Sequence, residues 1–166
     1  MRPYRLPEVQ VEIERGTVLL DTNVLVAYHY PRDENHKATR SYLDTTPAFA
    51  VTDAVVAEAW GLLIQDQDDG YSGAQRRYFC QRMLDWVTDP TSGVVVVPDV
   101  PEPLAPIARI CRERSVDVVD VLVADLAHRL STANIDFPPF PVASLDEDFY
   151  RLLEFYHYEV VDPRSP

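Results

Sequence analysis

Thr17-Val18-Leu19-Leu20-Asp21-Thr22-Asn23 is a short, β-branched-rich apolar run that ends abruptly in a carboxylate. Its near-uniform apolarity suits a strand covered on both faces, as in a parallel sheet sandwiched between helices. Far downstream, Phe140-Pro141-Val142-Ala143-Ser144-Leu145 ends in the same way, at Asp146. Ligands of open parallel sheets bind in the crevice outside the carboxyl ends of the strands. Two strands ending in Asp therefore place two negative charges at one rim.

Working outward, a helix is expected from Asn23 until Pro31 stops it. A second helix follows over 34–44, with Asp33 as N-cap and Ala38, Tyr42 and Leu43 on its packed side. Ala48-Phe49-Ala50-Val51 reads as the next strand, and Thr52 or Asp53 caps a helix carrying Val55, Val56, Glu58, Ala59, Leu62 and Leu63. The acidic stretch 65–73 is expected to be a loop. A helix over 74–87 follows, with Tyr78, Met83, Leu84 and Trp86 as packing candidates.

Gly93 precedes Val94-Val95-Val96-Val97, the clearest buried-strand signal in the chain. Leu104, Ile107, Ala108 and Cys111 then recur at helical spacing. A further helix starts at Asp117 or a neighbour and runs through Leu130. After the strand that leads to Asp146 come a short helix over 148–154 and a last strand, Tyr158 to Val161.

Alternating strands and helices with five core strands imply an α/β fold, with helices on both faces of a mostly parallel sheet. Residues 17–162 are expected to form a single domain. Residues 1–16 are a polar lead-in whose Val9, Val11 and Ile13 alternate as an edge strand would. The tail, 163–166, is expected to fray, beginning at Asp162.

The chain has 166 residues, 46% of them apolar, enough for one sizeable core. It contains no run of the roughly 20 apolar residues a membrane span needs, and its N-terminus lacks the apolar core of a secretory signal. Cys80 and Cys111 have neither metal-ligand spacing nor a paired framework, which suits reduced thiols in a cytoplasmic protein. The formal net charge is -12, an unfavourable field for nonspecific binding to nucleic acid. Lys37 is the single lysine among fifteen basic residues. Adaptation to high salt and a GC-rich genome both account for an acidic, arginine-biased composition, and both stay open here.

Between the two strand-end acids lie two more with unusual surroundings. Glu58 sits within Val55-Val56-Ala57-Glu58-Ala59-Trp60, and Asp120 opens Asp120-Val121-Leu122-Val123-Ala124. A charge in apolar company is costly unless paired or metal-bound. No Lys or Arg lies within a helical turn of Glu58, so a local ion pair does not account for it; a helix end emerging into solvent would.

At these residues the chain resembles the PIN-domain family of metal-dependent nucleases, the VapC-like ribonucleases among them. Asp21-Thr22-Asn23 is similar to that family's first motif, and Thr52 followed by Ala57-Glu58 to its second. Asp120-Val121-Leu122-Val123-Ala124 resembles the helix start with the third acid, and Ser144-Leu145-Asp146-Glu147-Asp148-Phe149 the segment with the fourth. Ser144 stands where Thr is more usual, and Asp125 where a small apolar residue is common. The resemblance implies a three-layer α/β/α sandwich with about five strands. It also implies Mg2+- or Mn2+-dependent hydrolysis of RNA, with Asp21, Glu58, Asp120 and Asp146 as catalytic metal ligands.

Four carboxylates suit a hard cation that prefers oxygen donors and retains waters. Asp117 and Asp148 are placed to assist, although a solvated N-cap serves Asp117 equally well. Thr22, Asn23 and Ser144 would position the acids through bonds to local backbone. The histidines His29, His36, His128 and His157 read as helix-end or surface residues. Arg76, Arg77 and Arg82 on one expected helix are candidates for phosphate contact, although a solvated surface helix is the better account of them.

By analogy the protein would be the toxin of a toxin–antitoxin pair, with an antitoxin protein as partner and a homodimer as an accessible assembly. The alternatives are an RNA-processing or decay nuclease without an antitoxin, and a PIN-like module that binds RNA or protein without cutting. A phosphoryl-transfer protein using Asp21 as acceptor fits poorly. Asn23 stands where such a site wants a second Asp, and a receiver would need a downstream lysine.

Overall fold

A computed structural model describes residues 4–6, 11–65, 69–98, 104–134 and 137–165. Its centre is β3 (Val18–Leu20), every residue of which is buried. It pairs in parallel with β4 (Phe49–Thr52) on one side and β6 (Pro141–Ala143) on the other, Leu19 facing both Ala50 and Val142. β5 (Val94–Val97) and β7 (Glu159–Val161) complete a five-stranded, all-parallel sheet of order β5-β4-β3-β6-β7.

The chain moves from β3 outward to β4 and β5, then returns to β6 and β7 on the other side of β3. Parallel crossovers are right-handed, so this reversal places the later helices on the opposite face. Among themselves pack α1 (Thr22–His29), α2 (His36–Thr45), α3 (Asp53–Ile64) and α4 (Gly73–Thr88). A second group comprises α5 (Leu104–Arg114), α6 (Val118–Ala133) and α7 (Asp148–Leu152). The α/β/α expectation holds, with the sheet wholly rather than mostly parallel. The reversal leaves a switch point between β3 and β6, where α/β folds form their crevice.

The lead-in differs from expectation. β1 (Tyr4–Leu6) and β2 (Val11–Ile13) pair antiparallel with each other in a separate two-stranded sheet, β1 lying against α6. They therefore do not extend the main sheet, whose edges are β5 and β7. Val9 lies outside the described residues. In the tail, Asp162 accepts bonds from the Arg164 backbone and guanidinium, and Pro163 is buried.

Helix boundaries moved where local capping decided them. Asp33 does not cap α2; its carboxylate accepts from the Asn35 N–H, and Asn35 holds the cap position. Ser72 and Gln75 close a reciprocal capping box that starts α4 at Gly73. On α4 the buried stripe is Arg76, Phe79, Cys80, Met83 and Val87, while Tyr78, expected to pack, is 59% exposed. Adjacent helical residues differ by about 100° in azimuth, so Phe79 occupies the inward direction.

Candidate active site

The turn from β3 into α1 buries Asp21 to 1% exposure. Asp21 is the N-cap of α1: its Oδ1 accepts from the Thr22 N–H at 2.6 Å. Its Oδ2 accepts from the Ser144 hydroxyl at 2.8 Å, and Ser144 Oγ in turn accepts from the Asp146 N–H at 3.0 Å. One serine thus ties the two strand-end acids together across the switch point. The backbone repeats the link, since the Asp21 N–H donates to the Ala143 carbonyl at 3.0 Å.

Thr22 and Asn23 also reach across the fold rather than to neighbouring backbone. The Thr22 hydroxyl donates to Glu58 Oε2 at 2.5 Å, and Asn23 Oδ1 accepts from the Leu145 N–H at 3.0 Å. Glu58 lies in α3, which Thr52 starts by accepting from the Val55 N–H. Asp120 occupies the first turn of α6, whose N-cap is Asp117, accepting from Val119 N–H at 3.0 Å.

Asp146 is exposed, and its Oδ1 accepts from the Asp148 N–H. β6 ends at Ala143, so Asp146 stands on the loop three residues beyond the strand rather than at its tip. Asp148 is paired with Arg151 one turn along α7, at 2.5 Å.

The electrostatics tie these acids into one group. Burial pushes the Asp21 carboxyl from 3.8 up to about 7; its two hydrogen bonds pull it down, and the Glu58 and Asp146 charges push it further up. Burial likewise raises Asp120 to about 8, aided by the charges of Asp21, Asp117 and Asp146. Like charges near one another and out of water disfavour ionisation. The charged groups acting on both are all negative. Asp21, Glu58, Asp120, Asp146 and Asp117 therefore share one field, whereas Asp148 is committed to its arginine.

Among the described residues, no three His, Cys, Asp or Glu side chains form a ready metal cage. The fit to a metal is one of donor chemistry: oxygen ligands alone, mutually repelling, suited to a hard dication that keeps several waters.

The field of these acids reaches Tyr158, read from the sequence only as the start of the last strand. Burial first, then the Asp120 charge, raises its phenol, and its hydroxyl donates to the Phe149 carbonyl at 2.6 Å. Its neighbours in the aromatic cluster 155–158 carry no sequence signal that would single it out. Arg76, expected on the surface, is 2% exposed and pairs with Asp69 at 2.5 Å.

A PIN domain family model matches residues 18–153, which covers Asp21, Asp146 and the helices that bear Glu58 and Asp120. The chain belongs to the PIN-domain family. In fold it is similar to the FitAB complex solved on a DNA fragment, at 18% identity and a TM-score of 0.57, covering 90% of this chain and 96% of that one. It is also similar to Mycobacterium tuberculosis VapC20, described as a toxin that cleaves the sarcin–ricin loop (15% identity, TM-score 0.55, 84% and 95% covered). A toxin–antitoxin complex from Klebsiella pneumoniae matches at 16% identity and a TM-score of 0.51, covering 88% and 97%. No curated protein matches the chain by sequence. No helix among the described residues is long and apolar enough to cross a membrane.

Proposed function

We propose that the protein is a Mg2+- or Mn2+-dependent endoribonuclease acting as the toxin of a toxin–antitoxin pair. One observation carries the reading: a buried Asp21 and a half-buried Asp120, both raised far above the carboxylate range, share a field with Glu58 and Asp146. A fold gains nothing from holding repelling carboxylates out of water, and such perturbed groups in a crevice mark functional sites. Membership of the PIN family supports nuclease chemistry. The likeness to toxin–antitoxin complexes supports an antitoxin partner.

Asp21, Glu58, Asp120 and Asp146 would hold the metal, with Asp117 as a further acid at the rim. When bound, the metal supplies a water of lowered pKa and offsets charge on the phosphodiester. Asp21 is oriented by Thr22 and Ser144, and Glu58 by the Thr22 hydroxyl. Ser144 holds the loop bearing Asp146 against β3, and Asn23 fixes Leu145 beside it. Each acid thus enters the reaction with its side chain or its backbone already placed.

The test is cleavage of a mixed single-stranded RNA pool with Mn2+, Mg2+ or EDTA, at low and high salt, beside folded Asp21→Asn and Asp120→Asn variants. Metal-dependent cutting that both variants lose is the expected result. No cutting by folded wild-type protein in any condition would overturn the reading in favour of a non-catalytic binding module. Cutting that survives in both variants would place the activity elsewhere.

A further inference from the structure

At the far end of α1 from Asp21 lies a small cavity of opposite character. It has a volume of about 60 Å3 and is lined by Tyr28, His29, Pro31, His36, Arg40 and Arg82. Three segments remote in sequence supply these side chains: the end of α1, the first half of α2 and the middle of α4. In a chain of net charge -12, four basic side chains meet there without a carboxylate in the lining. Among the described residues neither Arg40 nor Arg82 forms an ion pair with an acid.

His29 points to a missing partner. It is 8% exposed, and its Nε2 is buried with no hydrogen-bond partner. A buried unpaired polar atom is costly and wants an explanation. Burial holds His29 down to about 3, and the charges that press it further are those of Arg82 and His36, both positive. The cluster is therefore under repulsion that an anion would relieve.

We propose that this cavity is a binding site for one phosphate-sized oxyanion, either free or borne by a phosphomonoester. Two arginines offer forked donors suited to phosphate oxygens, and the cavity of about 60 Å3 is on the scale of one small oxyanion. α2 opens at His36 with no side-chain cap from Asn35, so its N-terminal dipole faces the same region uncapped. The carbonyl end of α1 opposes an anion, but His36 Nδ1 bonds the Ala27 carbonyl at 2.7 Å and the Tyr30 N–H donates to the Val26 carbonyl at 2.9 Å. With eight residues at a rise of about 1.5 Å, α1 separates His29 from the acidic rim by roughly 12 Å. The site is therefore distinct from the acids and stands whether or not they cut RNA.

The experiment follows the imidazole NMR signals of all four histidines during titration with inorganic phosphate at constant pH and ionic strength, chloride serving as control. Saturable shifts of His29 and His36, with His128 and His157 still, are expected. Combining Arg40→Gln with Arg82→Gln should weaken binding at least tenfold; both side chains are exposed, and retained melting temperature confirms folding. Shifts that do not saturate, that move all four rings alike, or that persist at equal affinity in the double variant would overturn the site. Adenosine 5′-monophosphate, adenosine and a 5′-hydroxyl RNA oligomer in EDTA separate the sources. Monophosphate moving the two rings where adenosine does not supports a phosphomonoester, and phosphate alone moving them supports the free ion. Response to the oligomer only would replace this proposal with one for an RNA backbone.

Discussion

The two ends of α1 place a buried acid and a buried base eight residues apart, and they are held in opposite ways. At the N-terminal end Asp21 has two donors, Thr22 N–H and Ser144 Oγ–H, and still rises to about 7. At the C-terminal end His29 has no partner for Nε2 and falls to about 3. The helix dipole would favour the charged form at both ends. It loses at both, because its contribution of about 0.3–1 kcal/mol is small beside the cost of burying a charge among like charges. Burial, rather than hydrogen bonding or helix position, decides the direction of the shift at both ends of α1.

The comparison makes opposite pH slopes. The folded pKa of Asp21 is raised, so its contribution to stability is full below about 3.8 and is lost as pH rises through about 7. The folded pKa of His29 is depressed, so its contribution is full above about 6.5 and is lost as pH falls towards about 3. Between roughly pH 4 and 6.5 the two slopes, each about 1.4 kcal/mol per pH unit, oppose one another. Above that window the acids alone act, Asp120 continuing to about 8.

The largest expected effect is functional. Asp120→Asn or Asp21→Asn should lower metal-dependent cleavage by roughly 100-fold or more, since a metal ligand supports several kcal/mol of charge stabilisation. Asp21→Asn should at the same time stabilise the metal-free protein at pH 8. A shift from 3.8 to about 7 corresponds to about 4 kcal/mol. Two donors already face the carboxylate, so the new amide meets one of them badly at a cost of about 1–3 kcal/mol. A net gain of about 1–3 kcal/mol in denaturant unfolding is expected at pH 8, turning into a loss of about 1–3 kcal/mol at pH 4, where only the cost of the amide remains. A loss of stability at pH 8 would show that Asp21 is ionised and well accommodated, and the contrast with His29 would collapse.

His29→Gln should remove the acid-side slope and leave the alkaline side unchanged. Below pH 6.5 the wild type should lose about 1.4 kcal/mol per pH unit more than the variant. The groups facing His29 are Arg82, His36 and the Tyr28 and Trp86 rings, at 4.9 and 5.3 Å between centroids. Equal slopes in variant and wild type would mean that His29 titrates normally.

Much of the acidic end was legible in the sequence and little of the basic end was. Asp21 and Glu58 were conspicuous because a charge among Val, Leu and Ala breaks a local apolar pattern, and such a break is visible within a few residues. His29, His36, Arg40 and Arg82 break no pattern, since the histidines stand at helix ends and the arginines beside other polar residues. Their meeting depends on α4 packing against α1, a tertiary contact no local window holds. Arg76 was misread for the same reason: its partner Asp69 lies in the preceding loop, and only the packed loop makes the arginine a core residue. Capping was legible where the chemistry was unambiguous, at Thr52 and Asp117, and failed at Asp33, where two short polar residues competed for one role. Ser144 lay in a stretch already singled out, but its bridge from Asp21 to Asp146 needed the β3–β6 pairing.

That bridge gives the next effect. Ser144→Ala removes the donor to Asp21 and the acceptor for Asp146 N–H while leaving every acid in place. Loss of a group that orients a metal ligand costs about 10–100-fold in metal affinity or activity. Metal titration of cleavage should show the loss chiefly as a higher metal requirement, with Ser144→Thr restoring it. An equal fall at saturating metal would instead place the serine in the chemical step.

The smallest effect tests where the acidic region ends. Tyr158 feels Asp120 and Asp21, yet its hydroxyl is spent on the Phe149 carbonyl, and its ring packs edge-on to Phe149 at 6.3 Å. Tyr158→Phe keeps the ring and removes one buried hydrogen bond, so unfolding should cost about 1 kcal/mol less. Cleavage should stay within about threefold of wild type, a change below 1 kcal/mol at 1.36 kcal/mol per tenfold. The reasoning is one of commitment: a donor already bonded at 2.6 Å to a buried carbonyl has nothing left to give the acids. A tenfold fall in cleavage with little loss of stability would reverse it, because the phenol would then be acting on Asp120 rather than on Phe149.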